Sequence, residues 1–295
     1  NLLAATGLIE ASTFIAILLG TTLGTLTVGG KEATPYIAII MTLSAAFSGL
    51  VSSLFIPPAP SALHELKVDF NLWRATVKML KEAKKEYGIL ISILTISWFW
   101  LIGAVMLTKL PDYTHYVLGA SAHVFALFLA LFSIGIALGS ITINWLLKGQ
   151  VNLSAVPMAM LAFTFFAFDL YWSSPVSHDL KTPLFNLFNF FTSFTHWRIA
   201  FDLFMLAFCA GLFVVPLYTY LQIISPVENR ARTIAANNIF NALFMVMGTL
   251  LVMLLLFFSF SIPQVFLILC LLNLVAAVFL FLGLRTLRRS SEEIA

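Results

Sequence analysis

Eight long apolar stretches constrain this chain more than any other feature of its sequence. A helix needs about 20 apolar residues to cross a hydrocarbon core about 30 Å thick. The eight stretches are residues 8–27, 35–56, 87–107, 120–146, 155–172, 200–221, 234–258 and 262–282. Because backbone polar groups cannot stay unpaired in lipid, each stretch is predicted to be a transmembrane helix.

The composition also favours a membrane location. Hydrophobic residues make up 61% of the chain and charged residues only 10%, whereas a soluble domain carries about 25% charged residues. The sequence therefore predicts an all-α polytopic membrane protein. A net charge of +3 is too small to indicate a nucleic-acid partner. Cys209 and Cys270 lie inside apolar stretches and the histidines are scattered, so we expect buried thiols, no metal site and no cofactor.

Basic residues are distributed unevenly between the connecting loops. If the N-terminus is placed in the cytoplasm, the loops on that side hold twelve of the sixteen lysines and arginines. The remaining four, on the other side, are Lys31, Lys109, Lys181 and Arg198. Cytoplasmic loops of membrane proteins are enriched in Lys and Arg. We therefore expect both ends of the chain to be cytoplasmic.

The longest polar stretch, residues 58–86, divides the chain into two spans and six spans. Secondary transporters are often built from two six-helix halves. In that arrangement residues 1–57 are the last two helices of the first half, residues 87–284 are the complete second half, and residues 285–295 are a cytoplasmic tail. The chain begins with Asn1 rather than Met, which fits a fragment that lacks the first four helices. The eight spans then correspond to helices five to twelve.

Apolar residues recur within this basic linker. Phe70, Trp73, Val77 and Leu80 are spaced as expected for an amphipathic helix lying on the membrane surface. A solvated linker with a basic face is the alternative interpretation.

Small residues in the spans predict close helix packing. Gly20 and Gly24 in the first span, and Gly135 and Gly139 in the fourth, each form a G-x-x-x-G pair, which lets helix backbones approach. In the two-half arrangement these spans are helices five and eight, so we expect the two pairs to face each other. Pro216 in the sixth span predicts a kink, which would serve either gating or shape alone.

Polar and aromatic side chains within the spans are candidates for binding a substrate. Asn237 and Asn241 are four residues apart and share a helix face, so they either line a polar cavity or form interhelical hydrogen bonds. Glu10 is either a cavity carboxylate or an interfacial one near a helix N-terminus. Trp98 and Trp100 lie mid-span, which favours an acyl-chain wall or simple packing over an interfacial belt. The full set of candidates is Glu10, Trp98, Trp100, Tyr218, Gln222, Asn237, Asn238 and Asn241.

Four further polar residues fall near the outer ends of the fifth and sixth spans. Asp169, His196, Arg198 and Asp202 could form an outer gate or a headgroup site. Charged residues near a span end are more simply explained as solvated, and we expect these side chains to be exposed.

One short pattern is similar to an enzyme motif. His64 and Asp69 have the H-x-x-x-x-D spacing of a glycerolipid acyltransferase pair, but the phosphate-binding motifs that accompany that pair are absent, so coincidence is the better interpretation. The sequence also lacks P-loop, H-E-x-x-H and G-x-S-x-G patterns. We therefore do not expect this chain to be an enzyme.

Several segments resemble one family of transporters. Residues 211–218 read GLFVVPLY, and residues 229–245 read NRARTIAANNIFNALFM. Together with residues 1–24 and 96–103, which look like the fifth and seventh helices of the family, they resemble the bacterial lysophospholipid transporters of the major facilitator superfamily. Arg230 and Arg232 lie in the most specific part of the resemblance, and we expect a gating or structural role for them. One departure is the loop after the fourth span, where only Lys148 and the glycines of the superfamily's basic signature remain.

The resemblance implies a function. Members of the family flip lysophospholipids, such as lysophosphatidylethanolamine, from the outer to the cytoplasmic leaflet of the bacterial inner membrane. An acyltransferase, separate or fused to the transporter, then re-acylates them. The implied partners are therefore the lysophospholipid, membrane lipids and an acyltransferase.

Two other functions stay open. One is a major-facilitator exporter of drugs or other hydrophobic compounds, which would place more carboxylates at the cavity. The other is a membrane module that feeds substrate to a fused acyltransferase. In every transporter reading the second, fifth and eighth spans are expected to be peripheral, and the first, third, fourth, sixth and seventh to line the cavity.

Overall fold

The computed structural model describes residues 2–28, 35–58, 71–84, 86–175 and 183–292, and this part of the chain is almost entirely helical. The α-helices are α1 (Leu2–Val28), α2 (Pro35–Ser53), α3 (Leu72–Ala83), α4 (Tyr87–Asp112), α5 (Ala122–Leu146), α6 (Ala155–Ser173), α7 (Leu187–Phe190), α8 (Phe194–Ile224), α9 (Arg230–Phe257) and α10 (Ile262–Glu292). Eight of them, all except α3 and α7, are long and apolar enough to cross a membrane. The prediction of an all-α polytopic membrane protein with eight spans is confirmed.

Several helices extend beyond the apolar stretches that predicted them. α8 begins at Phe194 rather than near residue 200, and α9 begins at Arg230 rather than near residue 234. Hydropathy marks the part of a helix that suits lipid, whereas the helix itself continues as long as its internal hydrogen bonds can form. Arg198, Arg230 and Arg232 were placed in loops and instead lie in the first turns of helices.

The end of α4 that leads toward α5 departs from regular α-helix. α4 continues through Pro111, and a short π-helix follows at Tyr113–Val117. Proline has no N–H to donate to the preceding turn, and π-turns are typical of such local adjustments. Gly119, at a φ of 62°, then lets the chain turn back into α5.

Helix α8 lies at the centre of the bundle, where it packs against α4, α5, α6 and α1. Its contact with α5 depends on glycine. A Cβ atom built on Gly139 would collide with the carbonyl oxygen of Phe208 in α8, and one built on Gly135 would lie 2.6 Å from the carbonyl oxygen of Phe204. On the α8 side, a Cβ atom built on Gly211 would collide with the carbonyl oxygen of Ile136 in α5. The backbones of α5 and α8 therefore touch.

The expected pairing of the two G-x-x-x-G motifs is wrong. Among the described residues, no atom of another helix lies within 4 Å of a Cβ built on Gly20 or Gly24. α1 does pack against α5, but through Gly7, whose Cβ would lie 2.8 Å from the carbonyl oxygen of Ser140. A spacing motif shows that a helix can approach a neighbour closely, but it does not identify the neighbour.

Helix α3 is amphipathic, as its sequence predicted. Asn71 accepts a hydrogen bond from the backbone N–H of Arg74 at 3.0 Å and caps the helix. The helix packs against α9, where Glu82 lies 3.8 Å from Arg232. Phe70, His64 and Asp69 lie outside the described residues.

The spans alternate in direction through the bundle. The starts of α4 and α6 and the ends of α8 and α10 share one end, where Leu153, Tyr220 and Arg285 line a groove of about 400 Å³. At this end Gly283 of α10 also approaches Tyr87 of α4, whose hydroxyl would lie 2.9 Å from a Cβ built there. Asp169 of α6 and Arg198 of α8 meet at the opposite end. We refer to these as the basic end and the far end.

Candidate substrate-binding site

Side chains from four spans meet in a polar network inside the bundle. The indole N–H of Trp100 in α4 donates to the hydroxyl of Tyr218 in α8 at 2.7 Å. The hydroxyl of Ser97, also in α4, lies 2.8 Å from the side-chain amide of Asn241 in α9. The hydroxyl of Tyr218 also lies within electrostatic reach of Glu10 in α1. Polar side chains that are far apart in sequence, from α1, α4, α8 and α9, therefore lie together inside the bundle.

The orientation of the Asn241 amide follows from its neighbours, because oxygen and nitrogen are distinguished by their hydrogen bonds. With its nitrogen toward Ser97, the amide donates to that hydroxyl at 2.8 Å and to the carbonyl oxygen of Asn237 at 3.1 Å. Its oxygen then accepts from the Asn237 side-chain nitrogen at 3.1 Å and from Trp100 at 3.3 Å. The two amides, four residues apart on α9, thus form part of one network.

Two buried acceptor atoms in this network have no donor among the described residues. Glu10 is 9% exposed and its Oε2 has no hydrogen-bond partner, and the Oδ1 of Asn237, which is 1% exposed, has none either. Leaving a buried acceptor unpaired costs about 1–3 kcal/mol, and more for a charged group. The site is therefore suited to a ligand that brings N–H or O–H donors.

An aromatic cluster adjoins the polar network. Phe14 of α1 stacks on Trp100 with ring centroids 6.3 Å apart, and Phe99 contacts both of them edge to face. Phe213 of α8 packs edge to face on Phe99 at 5.6 Å. Such ring pairs contribute about 0.5–1.5 kcal/mol each beyond the area that they bury. The cluster joins α1, α4 and α8 next to the network.

The cluster borders an apolar cavity of about 140 Å³. Phe14, Phe99, Trp100 and Phe213 form part of its wall, other residues of α1, α4 and α8 add to it, and the rest comes from α5, α9 and Phe163 of α6. The five spans expected to line a cavity all contribute, and α6, expected to be peripheral, adds one side chain. Trp100 belongs to both the network and the cavity, so a polar compartment and an apolar one share a wall.

Trp98 does not belong to this site. Its indole N–H donates to the Oδ1 of Asn273 in α10 at 2.9 Å. Asn273 is fully buried and donates in turn to the carbonyl oxygen of Met160 at 2.8 Å and to the hydroxyl of Thr164 at 2.9 Å. Because residues two positions apart on a helix point about 200° apart, Trp98 faces α6 and α10, whereas Trp100 faces α1 and α8. Trp98 ties three spans together and is not an acyl-chain wall.

Three other predicted site residues also lie apart from the network. Asn238 is exposed at the bundle surface, and Gln222 is half-buried one turn beyond Tyr218; among the described residues neither makes a hydrogen bond to the network. Pro216 is buried within α8, which continues without a break from Phe194 to Ile224. A kink at Pro216 stays a prediction.

The two arginines near the start of α9 make local contacts at the basic end. Arg230 donates weakly to the carbonyl oxygen of Ser225 at 3.4 Å, and its Nε is buried without a partner. Arg232 faces Glu82 of α3. These contacts link α9 to the end of α8 and to α3; a gating or structural role for the two arginines stays a prediction.

The sequence missed several residues of the site. Ser97, Phe14, Phe99 and Phe213 look like ordinary span residues, because serine and phenylalanine are common in membrane helices. The only signal in the sequence was the position of Ser97. It lies three residues before Trp100, and residues at that spacing are neighbours on a helix surface.

The outer polar residues were expected to be solvated, and this is wrong for Asp202. Its side chain is 1% exposed, whereas Arg198 and Asp169 are partly exposed and form an ion pair. His196 lies apart from them, stacked on Phe190 with ring centroids 4.1 Å apart.

No protein-family model matches the sequence, and no curated protein matches it. Within the described residues, no three His, Cys, Asp or Glu side chains come together in a way that could hold a metal ion. Cys209 and Cys270 are both buried as free thiols. The assignment of a function therefore depends on the geometry of the site and on the resemblance of the sequence.

Proposed function

We propose that this chain belongs to a secondary transporter of the major facilitator type that flips lysophospholipids. The observation that carries the proposal is the contact between the polar network and the apolar cavity at Trp100. A lysophospholipid has one polar headgroup and one acyl chain, so it needs a polar and an apolar compartment side by side within the membrane.

The network suits the headgroup of a lysophosphatidylethanolamine. The unpaired oxygens of Glu10 and Asn237 are acceptors for the ethanolamine ammonium, which has three N–H donors. The hydroxyl of Tyr218 accepts from Trp100 and keeps its own proton, which is a donor for the phosphate. A choline headgroup has no N–H, so it would leave the two acceptors unpaired and bind less tightly.

The cavity holds only part of an acyl chain in this conformation. Its volume of about 140 Å³ is below the ~300–1,000 Å³ that is typical of ligand pockets. Transport by alternating access requires the bundle to open and close around the site. We therefore propose that the cavity widens between α1, α4 and α9 when the substrate enters.

The cellular setting follows from the resemblance. We propose that the protein lies in the bacterial inner membrane with both ends of this chain in the cytoplasm, and that it moves its substrate from the outer to the cytoplasmic leaflet. An acyltransferase, as a partner or as a fused domain, would then re-acylate the product.

The proposal is tested with the natural full-length protein in vesicles that contain labelled lysophosphatidylethanolamine. Glu10→Gln and Asn237→Leu each remove one acceptor, and we expect each to lower the transport rate about tenfold, the equivalent of roughly 1.4 kcal/mol of lost binding. Asn238→Leu is the matched control, since Asn238 lies on the same helix but is exposed; it should leave the rate unchanged.

Two results would contradict the proposal. One is transport of the lipid no faster than in vesicles without protein. The other is an equal effect of the substitutions at 237 and 238, because that would show that the network does not bind the substrate.

A second candidate is export of a hydrophobic cation. It is favoured by the Glu10 carboxylate, which lies one turn before Phe14 on α1 and within electrostatic reach of the Tyr218 that Trp100 binds, because a carboxylate and aromatic faces together attract cations. The same vesicles with a cationic dye in place of the lipid distinguish the two functions.

A further inference from the structure

A second cluster of charged residues lies at the far end of the bundle, away from the proposed substrate site. It comprises Asp169 at the end of α6 and Arg198 and Asp202 in the first turns of α8. The carboxyl groups of Asp169 and Asp202 lie within hydrogen-bonding reach of each other. One guanidinium therefore faces two carboxyl groups.

The Arg198 guanidinium forms hydrogen bonds with only one of the two carboxyl groups, that of Asp169. The Nε of Arg198 donates to the Oδ2 of Asp169 at 2.8 Å, and its Nη2 donates to the other oxygen of the same carboxylate. This is the bidentate arrangement that planar guanidinium groups form with carboxylates. Asp202, which is 1% exposed, keeps its Oδ2 without any hydrogen-bond partner.

The hydroxyl groups of the neighbouring residues already donate their protons to other acceptors. The hydroxyl of Ser173 donates to the backbone carbonyl of Asp169 at 2.8 Å, and that of Ser174 donates to the carbonyl of Leu170 at 2.6 Å. The hydroxyl of Tyr113 lies 2.6 Å from that of Ser174. Since the proton of Ser174 is already used, Tyr113 is the donor in that pair.

The hydroxyl of Ser173 also lies within hydrogen-bonding reach of Asp202, but its one proton is already donated to the carbonyl oxygen of Asp169, so among the described residues Asp202 has no donor of its own. A buried carboxylate without a donor or a cation is strongly unfavourable, and two carboxyl groups that touch cannot both be ionised easily. We propose that Asp202 binds a proton and donates it in a hydrogen bond to Asp169, so that the far end of the bundle holds a proton-binding site.

The titratable and charged groups around the site are few. Tyr113 faces Asp202 from the outer end of α4, Asp169 faces it from α6, and Arg198 lies one turn away on α8 itself. α10 contributes the Phe266 ring, which packs on Tyr113 with centroids 5.4 Å apart. Within the described residues, no second cation approaches Asp202.

Such a site provides a route for protons to influence transport. Asp169 is partly exposed at the far end, so a proton can pass through it to the buried Asp202. Loss of the proton leaves two carboxylates beside one guanidinium, and their repulsion would loosen the contact between α6 and α8. Proton binding would thereby favour a conformation that is closed at this end. This inference goes beyond the proposed function, because it concerns the energy source and not the substrate.

Infrared difference spectroscopy of the purified full-length protein tests the inference, because a protonated carboxyl group has a C=O stretch separate from the carboxylate bands. Glu10 is the other buried carboxyl group among the described residues, so the measurement is made in a Glu10→Gln background. At neutral pH we expect a carboxylic C=O band that shifts in D₂O and is lost in Asp202→Asn. The matched control Asp112→Asn removes a more exposed carboxylate at the same end and should retain the band.

A second variant gives an independent readout. In Asp169→Asn the guanidinium of Arg198 becomes available to Asp202, which should then ionise, so this variant should also lose the band although Asp202 is present. Three outcomes would overturn the inference: no carboxylic band at neutral pH, a band that persists in Asp202→Asn, or a band that disappears on addition of NaCl at constant pH, which would indicate a sodium site. None of these measurements depends on lysophospholipid transport, so failure of the proposed function would be seen separately.

Discussion

Two buried carboxyl groups, Glu10 and Asp202, lie at different depths of the bundle in different surroundings. Glu10 meets amides and aromatic rings, and no lysine or arginine is paired with it in the described structure. Asp202 meets a second carboxyl group whose arginine is already engaged. The first environment suits a ligand that carries a positive charge and N–H donors, whereas the second suits a proton. Their surroundings therefore suit different ligands, and we propose substrate binding for Glu10 and proton binding for Asp202.

At the scale of single residues, a substitution at Gly103 tests the apolar compartment. Gly103 lines the cavity, and apart from the adjoining part of α4 no heavy atom of the described residues lies within 4 Å of a Cβ built there. Gly103→Leu should therefore fill the cavity without a clash, and we expect about tenfold slower flipping of long-chain lysophosphatidylethanolamine, because an occupied cavity cannot take an acyl chain.

The control for this prediction is Gly49→Leu in α2, which is equally open but distant from the cavity. Flipping is measured in vesicles, and the amount of folded protein is compared by gel filtration. Unchanged flipping in Gly103→Leu would mean that the acyl chain takes another route.

At the scale of helices, α8 is held by two kinds of contact. Glycines bring its backbone against α5, and aromatic rings and hydrogen bonds link it to α4. Lipid offers no hydrophobic driving force between helices, so close packing and interhelical hydrogen bonds are the main sources of association. The Trp98–Asn273 bond plays the same part between α4 and α10. The bundle therefore depends on a few positions that tolerate no larger or less polar side chain.

The glycine contact gives a prediction for this scale. Gly139→Ala places a methyl group against the backbone of Phe208, and forcing extra volume into packed structure costs about 1–3 kcal/mol. We expect a lower apparent midpoint of thermal unfolding in detergent. Gly24→Ala, the matched control, adds the same methyl group in open space on α1 and should not lower the midpoint.

An equal effect of the two alanine substitutions would disagree with the placement of α5 against α8. A larger effect of Gly24→Ala would instead restore the pairing of the two motifs that the sequence had suggested.

At the scale of the whole molecule, the spans alternate in direction and place chemically distinct groups at the two ends. The basic end has α3, Arg230 and Arg232, and the far end has the Asp169–Arg198 pair. The polar network and the cavity lie between them. The position at mid-depth is where alternating-access transporters bind their substrates, as the proposed function requires.

Labelling of introduced cysteines tests this layout in cells. In a background with Cys209 and Cys270 replaced by alanine, cysteine is introduced at Lys78, at Glu228 or at Phe188, which is 86% exposed near the far end. A membrane-impermeant maleimide added outside should label only the protein with Phe188→Cys. The other two should react only after the membrane is opened.

Labelling of Lys78→Cys and Phe188→Cys from the same side would be incompatible with the topology. Labelling of Lys78→Cys and Glu228→Cys from outside, with Phe188→Cys protected, would keep the layout but reverse its orientation in the membrane.

Much of the candidate site was predictable, and the reason differs from residue to residue. Glu10, Asn237 and Asn241 stand out because polar groups inside apolar helices need partners. Asn238 was wrongly grouped with them, because adjacent residues on a helix point about 100° apart, and hydropathy alone does not show which of them faces inward. Trp98 and Trp100 look equivalent in sequence, yet they face different neighbours.

The sequence by itself determined that the chain forms eight membrane-spanning helices, because the length of an apolar run and the need to pair backbone groups in lipid are local properties. Only the tertiary structure decided which helices touch, that Gly139 meets Phe208 rather than α1, and that Asp202 is buried beside Asp169. These outcomes depend on contacts between residues distant in the chain. The sequence of a span shows which residues share a helix face, but which neighbouring helix that face contacts depends on how all the spans pack together.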